Sequence, residues 1–265
     1  MAALKAGKHV LVEKPMTATA AQAVELVEEA AKRRLMLAVD HTFVYTGSVR
    51  KIRELVTTGS LGDIYYYDSV RVNLGLFQRD VNVIWDLAVH DLAILDYVLG
   101  ETPVAVSATA TGHVAGEPEN IAYLSLMFAN NLMGHVHVNW LAPVKLRRTL
   151  IGGSQKMVVY DDLEPSEKVK IYDKGITVNG NGDVNDKKYR LLVGYRAGDM
   201  WAPQLDMAEA LGVEAKHLIG CIERGETPTT DGQAGLRVVR ILEAASESIR
   251  QRGTVIELGT SQCLV

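Results

Sequence analysis

Two apolar segments on either side of a helix decide the fold of the N-terminal region. The first is AGKHVLVEKP at residues 6–15, and the second is LMLAVDH at residues 35–41. The first favours a strand, which Pro15 ends because proline has no N–H to donate to a neighbouring strand. The second is a continuous apolar run followed by Asp40-His41, which is typical of a parallel strand buried on both faces.

The residues between these segments predict the helix. Thr19 and Gln22 have the spacing of a capping box. Apolar residues then recur at helical spacing, and Lys32-Arg33-Arg34 places basic side chains where they suit the negative end of the helix dipole. Strand, helix and strand form a βαβ unit, so its loops gather at the carboxyl ends of two parallel strands.

The composition excludes several classes of protein. The chain has 265 residues, of which 48% are hydrophobic and 23% charged, and its formal net charge is -4. It is therefore neither disordered nor fibrous, and it has no electrostatic reason to bind nucleic acid or an acidic membrane. Residues 1–12 hold no continuous apolar stretch of the kind found in secretory signals. The two cysteines have no metal-like spacing, so we expect a cytoplasmic protein.

After residue 42 the pattern predicts a different architecture. Helices are predicted at residues 84–99 and near residues 49–56, 211–222 and 238–249. Strands are predicted at Ile64–Val72, Val104–Ala110, Ala122–Phe128, Met133–Trp140, Arg148–Ile151 and Met157–Val159. Because most of these strands follow one another without a helix between them, the sheet should be mainly antiparallel. We place a hairpin turn at Gly152-Gly153 and a polar excursion at residues 175–188. The helix that ends at Gly225 should bury Leu211, Ala215, Leu218, Ile219 and Ile222.

Asp86 and His90 are the sharpest local signal for chemistry. They lie four residues apart on the predicted helix, so their side chains are neighbours. The apolar stripe on the opposite side consists of Ala88, Leu92, Leu95 and Leu99. Two interpretations are open: a solvated surface pair, or an imidazole whose pKa and orientation are set by the carboxylate for general acid–base catalysis.

Lys14 is the second candidate, because it follows a strand at the sheet edge where open α/β proteins bind ligands. A lysine there can hydrogen-bond a substrate hydroxyl and help it to lose its proton, although an ordinary loop lysine would show the same pattern. Asp40-His41 follow the next strand and lie at the same edge.

Other polar patterns carry less information. Arg147 and its basic neighbours either meet a phosphate or end a solvated strand. His135 and His137 alternate along a strand and indicate one face of a sheet rather than a metal site. The triplet Gly180-Asn181-Gly182 lacks a third glycine and does not fit a dinucleotide loop.

Together these segments resemble the Gfo/Idh/MocA oxidoreductases, which include glucose–fructose oxidoreductase and inositol 2-dehydrogenases. The matching text is AGKHVLVEKP at residues 6–15, GSLGDI at 59–64, DLAVHD at 86–91 and PTTDG at 228–232. The Glu-Lys-Pro and Asp-x-x-x-His patterns are far more specific together than either is alone. Within the family, the stretches Asp40-His41-Thr42-Phe43 and Asn139-Trp140 look most like nucleotide-sugar or sugar-acid dehydrogenases.

The resemblance implies an enzyme that transfers a hydride between NAD or NADP and a secondary alcohol of a sugar, inositol or nucleotide sugar. Lys14 would position the substrate hydroxyl, and His90 would act as general acid or base. Asp86 would orient His90 or bind a neighbouring hydroxyl. The residues expected to line the nicotinamide and its ribose are Glu13, Lys14 and Pro15. The candidate substrate-binding residues are His41, Asn139 and Arg147, and no metal is expected.

One part of the family pattern is missing. The family's Rossmann domain opens with a strand–helix turn that carries a glycine-rich loop for the pyrophosphate, whereas Met1–Leu4 favours the end of a helix. We therefore expect two or more βαβ units to be absent upstream. Two hypotheses remain open: the larger part of a sugar dehydrogenase that is active in its full-length form, or a catalytically silent sugar-binding or oligomerisation module that cannot bind NAD(P).

The expected fold is α/β. Residues 1–42 should form a partial Rossmann-type parallel sheet, the remnant of a dinucleotide-binding domain. Residues 43–265 should form an α+β domain for substrate binding and oligomerisation, with a large, mainly antiparallel open sheet. One face of that sheet packs on helices, so we expect a second copy of the chain to cover the other face.

Overall fold

The parallel pair predicted near the N-terminus is present. The computed structural model of the chain describes residues 1–75, 78–178 and 193–259. After a short helix α1 (Ala2–Lys5), strand β1 (Val10–Glu13) leads through helix α2 (Ala20–Arg33) to strand β2 (Leu37–Asp40). The two strands pair in parallel, with Val10 opposite Leu37. Their carboxyl ends therefore lie at one edge, as the βαβ pattern predicts.

The boundaries of α2 follow from its end residues. The Thr19 hydroxyl accepts a hydrogen bond from the backbone N–H of Gln22 at 3.2 Å, so the predicted N-cap is confirmed. Lys32 and Arg33 lie in the last turn, next to the negative end of the helix dipole. Arg34 adopts a left-handed conformation that closes the helix.

A large sheet forms the second architecture. The strands after β2 are β3 (Ile64–Leu74), β4 (Ala105–Thr111), β5 (Ile121–Met127), β6 (Met133–Asn139), β7 (Leu141–Gly153), β8 (Met157–Asp161), β9 (Val169–Tyr172), β10 (Gly175–Val178), β11 (Val193–Arg196), β12 (Met200–Trp201) and β13 (Ile256–Glu257). Among the described residues, nine of them form one sheet in the order β12-β9-β8-β7-β3-β6-β5-β4-β13. Only β3 and β6 pair in parallel within it, so the prediction of a mainly antiparallel sheet is confirmed.

The remaining helices are α3 (Gly47–Thr57), α4 (Val89–Leu99), α5 (Ala210–Arg224) and α6 (Gly232–Arg250). Helix α6 joins the two parts of the molecule. Its Val238 and Ile241 belong to the core of the large sheet, while Leu236 and Val239 pack in a second core around β2. The ends of β1 and β2 are therefore held beside the beginning of α4. Within the described ranges, every helix falls short of the length and apolar character that crossing a bilayer requires.

The predicted helix at residues 84–99 differs from the structure in its first turn and in its exposure. Ile84–Ala88 form a π-helical turn, and α4 begins at Val89. The expected polar face is wrong, because α4 lies between the sheet, α3 and α6 and is buried on almost every side. The buried residues of α4 are Val89, Asp91, Leu92, Ala93, Ile94, Leu95, Val98 and Leu99.

Gly152 and Gly153 lie within β7, so the hairpin turn predicted there is wrong. The chain reverses direction at residues 154–156 instead. A side chain at Gly152 would overlap the ring of Tyr66, and one at Gly153 would overlap the backbone carbonyl of Leu61. The two glycines permit a close approach to neighbouring groups rather than a reversal of the chain.

Two further predictions about the C-terminal half need correction. Helix α5 ends at Gly225 as predicted, but it buries Glu214, Leu218, Gly220 and Cys221 and leaves Leu211, Ile219 and Ile222 exposed. Of the five residues predicted to be buried, Leu218 alone is buried, so apolar spacing misplaced most of the buried face of this helix. Residues 175–178 form β10, which pairs with β11, rather than the start of a polar excursion. The rest of that excursion, including residues 180–182, lies outside the described residues.

The face of the large sheet that points away from α4 and α6 is open. It presents exposed Tyr66, Tyr123, Met133 and Leu146. Tyr123 stacks on His137 with ring centroids 4.3 Å apart, and His135 lies beside it. The two histidines thus occupy one sheet face, as predicted, and among the described residues no group of three potential ligands could hold a metal.

Candidate active site

The edge of the parallel pair meets the π-helical turn before α4. Lys14, the residue after β1, donates a hydrogen bond from Nζ to the backbone carbonyl of Asp86 at 3.0 Å. The same Nζ lies 3.5 Å from Asp86 Oδ1. Two of the predicted catalytic residues, 72 positions apart in the chain, are therefore in direct contact.

A tryptophan fixes the other side of the Asp86 carboxylate. Trp140 follows β6, is 2% exposed, and donates a hydrogen bond from Nε1 to Asp86 Oδ2 at 3.1 Å. The Asp86 carboxylate thus lies between the Lys14 ammonium and the Trp140 indole. Among the described residues, no hydrogen bond or ion pair joins Asp86 to His90. The polar contacts of the Asp86 side chain are therefore with Lys14 and Trp140.

His90 lies in the first turn of α4 and packs against an aromatic ring. Its imidazole meets the ring of Phe43 edge-on, with centroids 5.1 Å apart and an interplanar angle of 70°. Burial lowers the pKa of His90 well below its ordinary value, and the positive charges of Arg71, Lys14 and Arg147 lower this pKa further. The imidazole is therefore neutral at neutral pH and can accept a proton.

His41 presents polar atoms that the chain itself does not satisfy. It is 3% exposed, and neither Nδ1 nor Nε2 has a hydrogen-bond partner among the described residues. Burial lowers the pKa of His41 to about 4, with a smaller lowering from Lys14 and an opposing effect of Asp40. Buried polar atoms in native proteins are nearly always paired. His41 is thus a buried neutral ring whose two nitrogens make no hydrogen bond within the described part of the chain.

Arg71 in β3 and Asp91 in α4 form a buried ion pair next to Phe43, the ring against which His90 packs. Arg71 Nε lies 2.6 Å from Asp91 Oδ2, and the Ser69 hydroxyl donates to Asp91 Oδ1 at 2.6 Å. The side chains of Arg71 and Asp91 are 5% and 4% exposed. The Arg71 guanidinium lies 4.7 Å from the centroid of Phe43. A buried ion pair thus supports the ring against which His90 packs.

Of the two remaining candidates for substrate binding, Arg147 lies beside Phe43 and Asn139 lies on the other face of the sheet. Arg147 lies opposite Arg71 in the pairing of β3 with β7, and its guanidinium is 5.6 Å from the Phe43 centroid. Its Nη1 donates to Asp162 Oδ2 at 3.2 Å. Asn139 alternates in β6 with buried Val138, and its Oδ1 accepts a hydrogen bond from Leu141 N. That places Asn139 on the open face with His137.

Sequence patterns missed four residues of the site: Phe43, Arg71, Asp91 and Trp140. Phe43 stands in a short helical turn, Thr42–Tyr45, that directly follows β2. A signal for Arg71 was present, because a charged residue at an inward position of an apolar strand is rarely buried without a partner. Asp91 gives the same signal within the otherwise apolar α4. The sequence could not show that these two residues pair.

Comparison with known proteins gives a consistent assignment. Residues 1–41 match the family model described as "Oxidoreductase family, NAD-binding Rossmann fold", and residues 49–159 match the GFO/IDH/MocA C-terminal domain. The chain is 25% identical to scyllo-inositol 2-dehydrogenase (NADP(+)) IolW of Bacillus subtilis, over 97% of this chain and 74% of that protein. It is 26% identical to UDP-N-acetylglucosamine 3-dehydrogenase of Acidithiobacillus ferrooxidans, over 94% of this chain and 75% of that protein.

Solved structures share the fold. The structure of the Acidithiobacillus ferrooxidans UDP-N-acetylglucosamine 3-dehydrogenase matches with a TM-score of 0.74 and 23% identity, over 94% of this chain and 73% of that one. The aldose-aldose oxidoreductase of Caulobacter crescentus matches with a TM-score of 0.75 and 23% identity, over 96% of this chain and 73% of that one. The matched family models and the dehydrogenase relatives thus identify an NAD(P)-dependent dehydrogenase by family resemblance. The chain belongs to the Gfo/Idh/MocA family of oxidoreductases.

The described residues fit the nicotinamide end of the family's cofactor. Glu13, Lys14 and Pro15 lie at the carboxyl end of β1, and the unpaired nitrogens of His41 follow β2. Buried ring nitrogens without partners suit the polar groups of a nicotinamide riboside or of a sugar. The turn between β1 and α2 contains no glycine, so it lacks the close backbone approach by which Rossmann folds bind pyrophosphate.

Proposed function

We propose that the protein oxidises or reduces a secondary alcohol of a sugar, an inositol or a nucleotide sugar. The observation that carries this proposal is the contact of Lys14 Nζ with Asp86, one helical turn before the neutral imidazole of His90. In this proposal the Lys14 ammonium is the hydrogen-bond donor, and the His90 imidazole is the proton acceptor, for one substrate hydroxyl group. The related inositol and nucleotide-sugar dehydrogenases support the substrate class.

Each residue of the site has a distinct role in this proposal. Bound NAD(P) supplies the acceptor or donor of the hydride. The Lys14 ammonium donates a hydrogen bond to the substrate oxygen, while Asp86, itself fixed by Trp140, holds that ammonium in place. His90 accepts the hydroxyl proton during oxidation and returns it during reduction. Phe43 and the buried surroundings keep water away from His90 and keep its ring neutral.

Calorimetric titration of the chain with NAD+, NADH and their 2′-phosphorylated forms, followed by turnover with a panel of sugars, tests the function. Binding of a nicotinamide cofactor and turnover of at least one polyol would support it. Absence of both would favour the alternative of a silent sugar-binding or oligomerisation module. The two outcomes differ before any substrate is identified, because cofactor binding is measured first.

We further propose that a second copy of the chain covers the open sheet face. The exposed aromatic and apolar side chains Tyr66, Tyr123, Met133 and Leu146 support this proposal, since contiguous exposed apolar surface marks an association site. A monomer mass by light scattering would count against it.

Replacing Arg147 by methionine should weaken the binding of acidic sugars selectively. Arg147 shares Asp162 with Lys168, so one carboxylate faces two cations. The excess positive charge beside Phe43 suits a substrate carboxylate or phosphate. We expect KM for an acidic substrate to rise about 10-fold to 100-fold, in line with the loss of a charge-assisted hydrogen bond, and KM for its neutral analogue to stay within about twofold.

The same comparison with Arg148→Met provides the control. Arg148 lies next in β7, lies opposite Val70, and is exposed. Equal changes in KM for acidic and neutral substrates in the Arg147 variant would rule out an anion-binding role.

A further inference from the structure

The outer face of helix α5 is apolar and exposed. Leu211, Ile219 and Ile222 are 54%, 57% and 40% exposed. Together with the exposed Ala215 they recur at helical spacing, so they form one stripe along the helix, the α5 stripe. Met207 lies in the segment that leads into the helix and is 73% exposed. Contiguous exposed apolar surface of this kind marks an association site.

A groove adjoins the C-terminal end of the α5 stripe. It has a volume of about 490 Å³ and lies between α2, the start of β2, the loop after α5 and the beginning of α6. Its apolar lining includes Val27, Leu35, Met36 and Ile222. Because Ile222 belongs to both the α5 stripe and the groove, the two form one continuous surface.

Two charged residues of opposite sign flank the α5 stripe. Lys216 lies three positions before Ile219 and Glu223 lies four positions after it, so both neighbour it on the helix surface. A separation of seven residues also returns them to almost the same side of the helix. Both side chains are exposed. The nearby Arg224 pairs with Glu226, and in the described part of the chain neither Lys216 nor Glu223 has an ion-pair partner.

We propose that α5 is an interface between two copies of the chain, whose α5 helices pair antiparallel about a two-fold axis between Ile219 and Gly220. A two-fold interface brings the same patch together from both copies, so Ile219 meets its counterpart at the centre. This axis lies midway between positions 216 and 223. Each Lys216 ammonium therefore faces the Glu223 carboxylate of the other copy, and opposite charges across an interface fix its register.

The same arrangement brings the two ends of the α5 stripe together. At about 1.5 Å per residue, Leu211 of one copy lies just beyond the C-terminal end of the other copy's helix, where the groove begins at Ile222. The exposed Met207 precedes Leu211 and extends in the same direction along the chain. Both charges and both shapes come from one helix and its surroundings, which is why a second copy fits this surface.

The proposed interface is separate from the open face of the large sheet. It involves none of the residues that carry the proposed reaction. The α5 interface alone would give a dimer, and the two interfaces together would give a tetramer built from two kinds of two-fold pair.

Sedimentation velocity over a range of protein concentrations tests the interface without substrate or cofactor. Ile219→Asp should raise the Kd of the α5 association by about 30-fold or more, as expected for a residue at the centre of an interface. Leu163→Asp replaces an exposed apolar residue in the turn after β8 and should leave this Kd unchanged. Because Ile219 is exposed within one chain, the circular dichroism of Ile219→Asp should match that of the wild type.

Charge reversal tests the antiparallel register. Lys216→Glu would place two pairs of like charges across the axis, and Glu223→Lys would do the same. We expect either variant alone to raise the Kd about tenfold, because two weak attractions become repulsions. An equimolar mixture of the two variants should recover nearly the affinity of the wild type, since every position 216 then faces a position 223 of opposite charge.

The open sheet face is controlled with Met133→Asp, which alters an exposed residue of that face. If the wild type is a tetramer, the α5 variants are compared in this background, so that only the α5 association is measured. A monomeric wild type, a Kd that Ile219→Asp leaves unchanged, or a mixture of charge variants that binds no more tightly than either variant alone would each overturn the proposal. None of these results depends on turnover, so each leaves the proposed oxidoreductase function standing.

Discussion

Replacing His90 by alanine is expected to lower kcat by about 10²-fold to 10⁴-fold, the usual contribution of a positioned general base. The neutral imidazole is the group placed to take the hydroxyl proton, and Lys14 is already engaged with Asp86. KM should change much less, because the hydrogen bond from Lys14 to the substrate oxygen remains. Steady-state kinetics with a substrate found in the panel would measure both constants.

The pH dependence adds a second expectation for His90. Burial and the neighbouring cations lower the pKa of His90 well below the ordinary histidine value. Protonation inactivates a general base only below its own pKa. Activity of the wild type should therefore persist as the pH falls through the range in which an exposed histidine becomes charged, about pH 6.5.

His135→Ala is the matched control for the kinetic experiment. His135 lies on the open sheet face, where its contacts are Asp68 and Tyr123. Its removal should leave kcat nearly unchanged, because its two recorded partners lie outside the proposed active site. An unchanged kcat in His90→Ala would remove His90 from the mechanism and leave the reaction without its proposed base.

The residues predicted from sequence are those whose signals are local. Thr19 and Gln22 lie three positions apart, so their spacing in the sequence is enough to predict the N-cap of α2. The apolar run before Asp40 predicts a buried parallel strand for the same reason. Lys14 at the end of β1 follows from the rule that ligands bind at the carboxyl edge of such sheets.

The residues missed are those whose roles depend on distant partners. Arg71 and Asp91 lie 20 positions apart on a strand and a helix, and no periodicity connects them. Glu214 looks like a solvent-exposed residue of an amphipathic helix, because apolar Leu211 and Ile219 suggest the opposite face as buried. Gly152 resembles a turn glycine, whereas the ring of Tyr66 is what requires it. In each case tertiary packing overrides a local preference.

Replacing Asp91 by alanine should destabilise the fold by about 3–5 kcal/mol, the usual cost of leaving one partner of a buried ion pair uncompensated. The Arg71 guanidinium would remain in a nearly inaccessible place with no carboxylate, and the Ser69 hydroxyl would lose its acceptor. Chemical denaturation would measure the change in free energy of unfolding. The solvent-accessible pair formed by Arg250 and Glu247 offers a control, since Glu247→Ala should change the free energy of unfolding far less than Asp91→Ala.

The double variant Arg71→Met, Asp91→Ala separates the charge from the packing at this position. If the penalty of Asp91→Ala arises from the uncompensated guanidinium, removing that charge as well should recover part of the stability. If it arises from lost packing, the double variant should be less stable than the single one.

Removal of the Arg71 guanidinium should also affect catalysis. Arg71 lies 4.7 Å from the centroid of Phe43 and helps to lower the pKa of His90. Without the guanidinium the imidazole would protonate more easily, so the acid limb of the pH–rate profile of the double variant should move to higher pH.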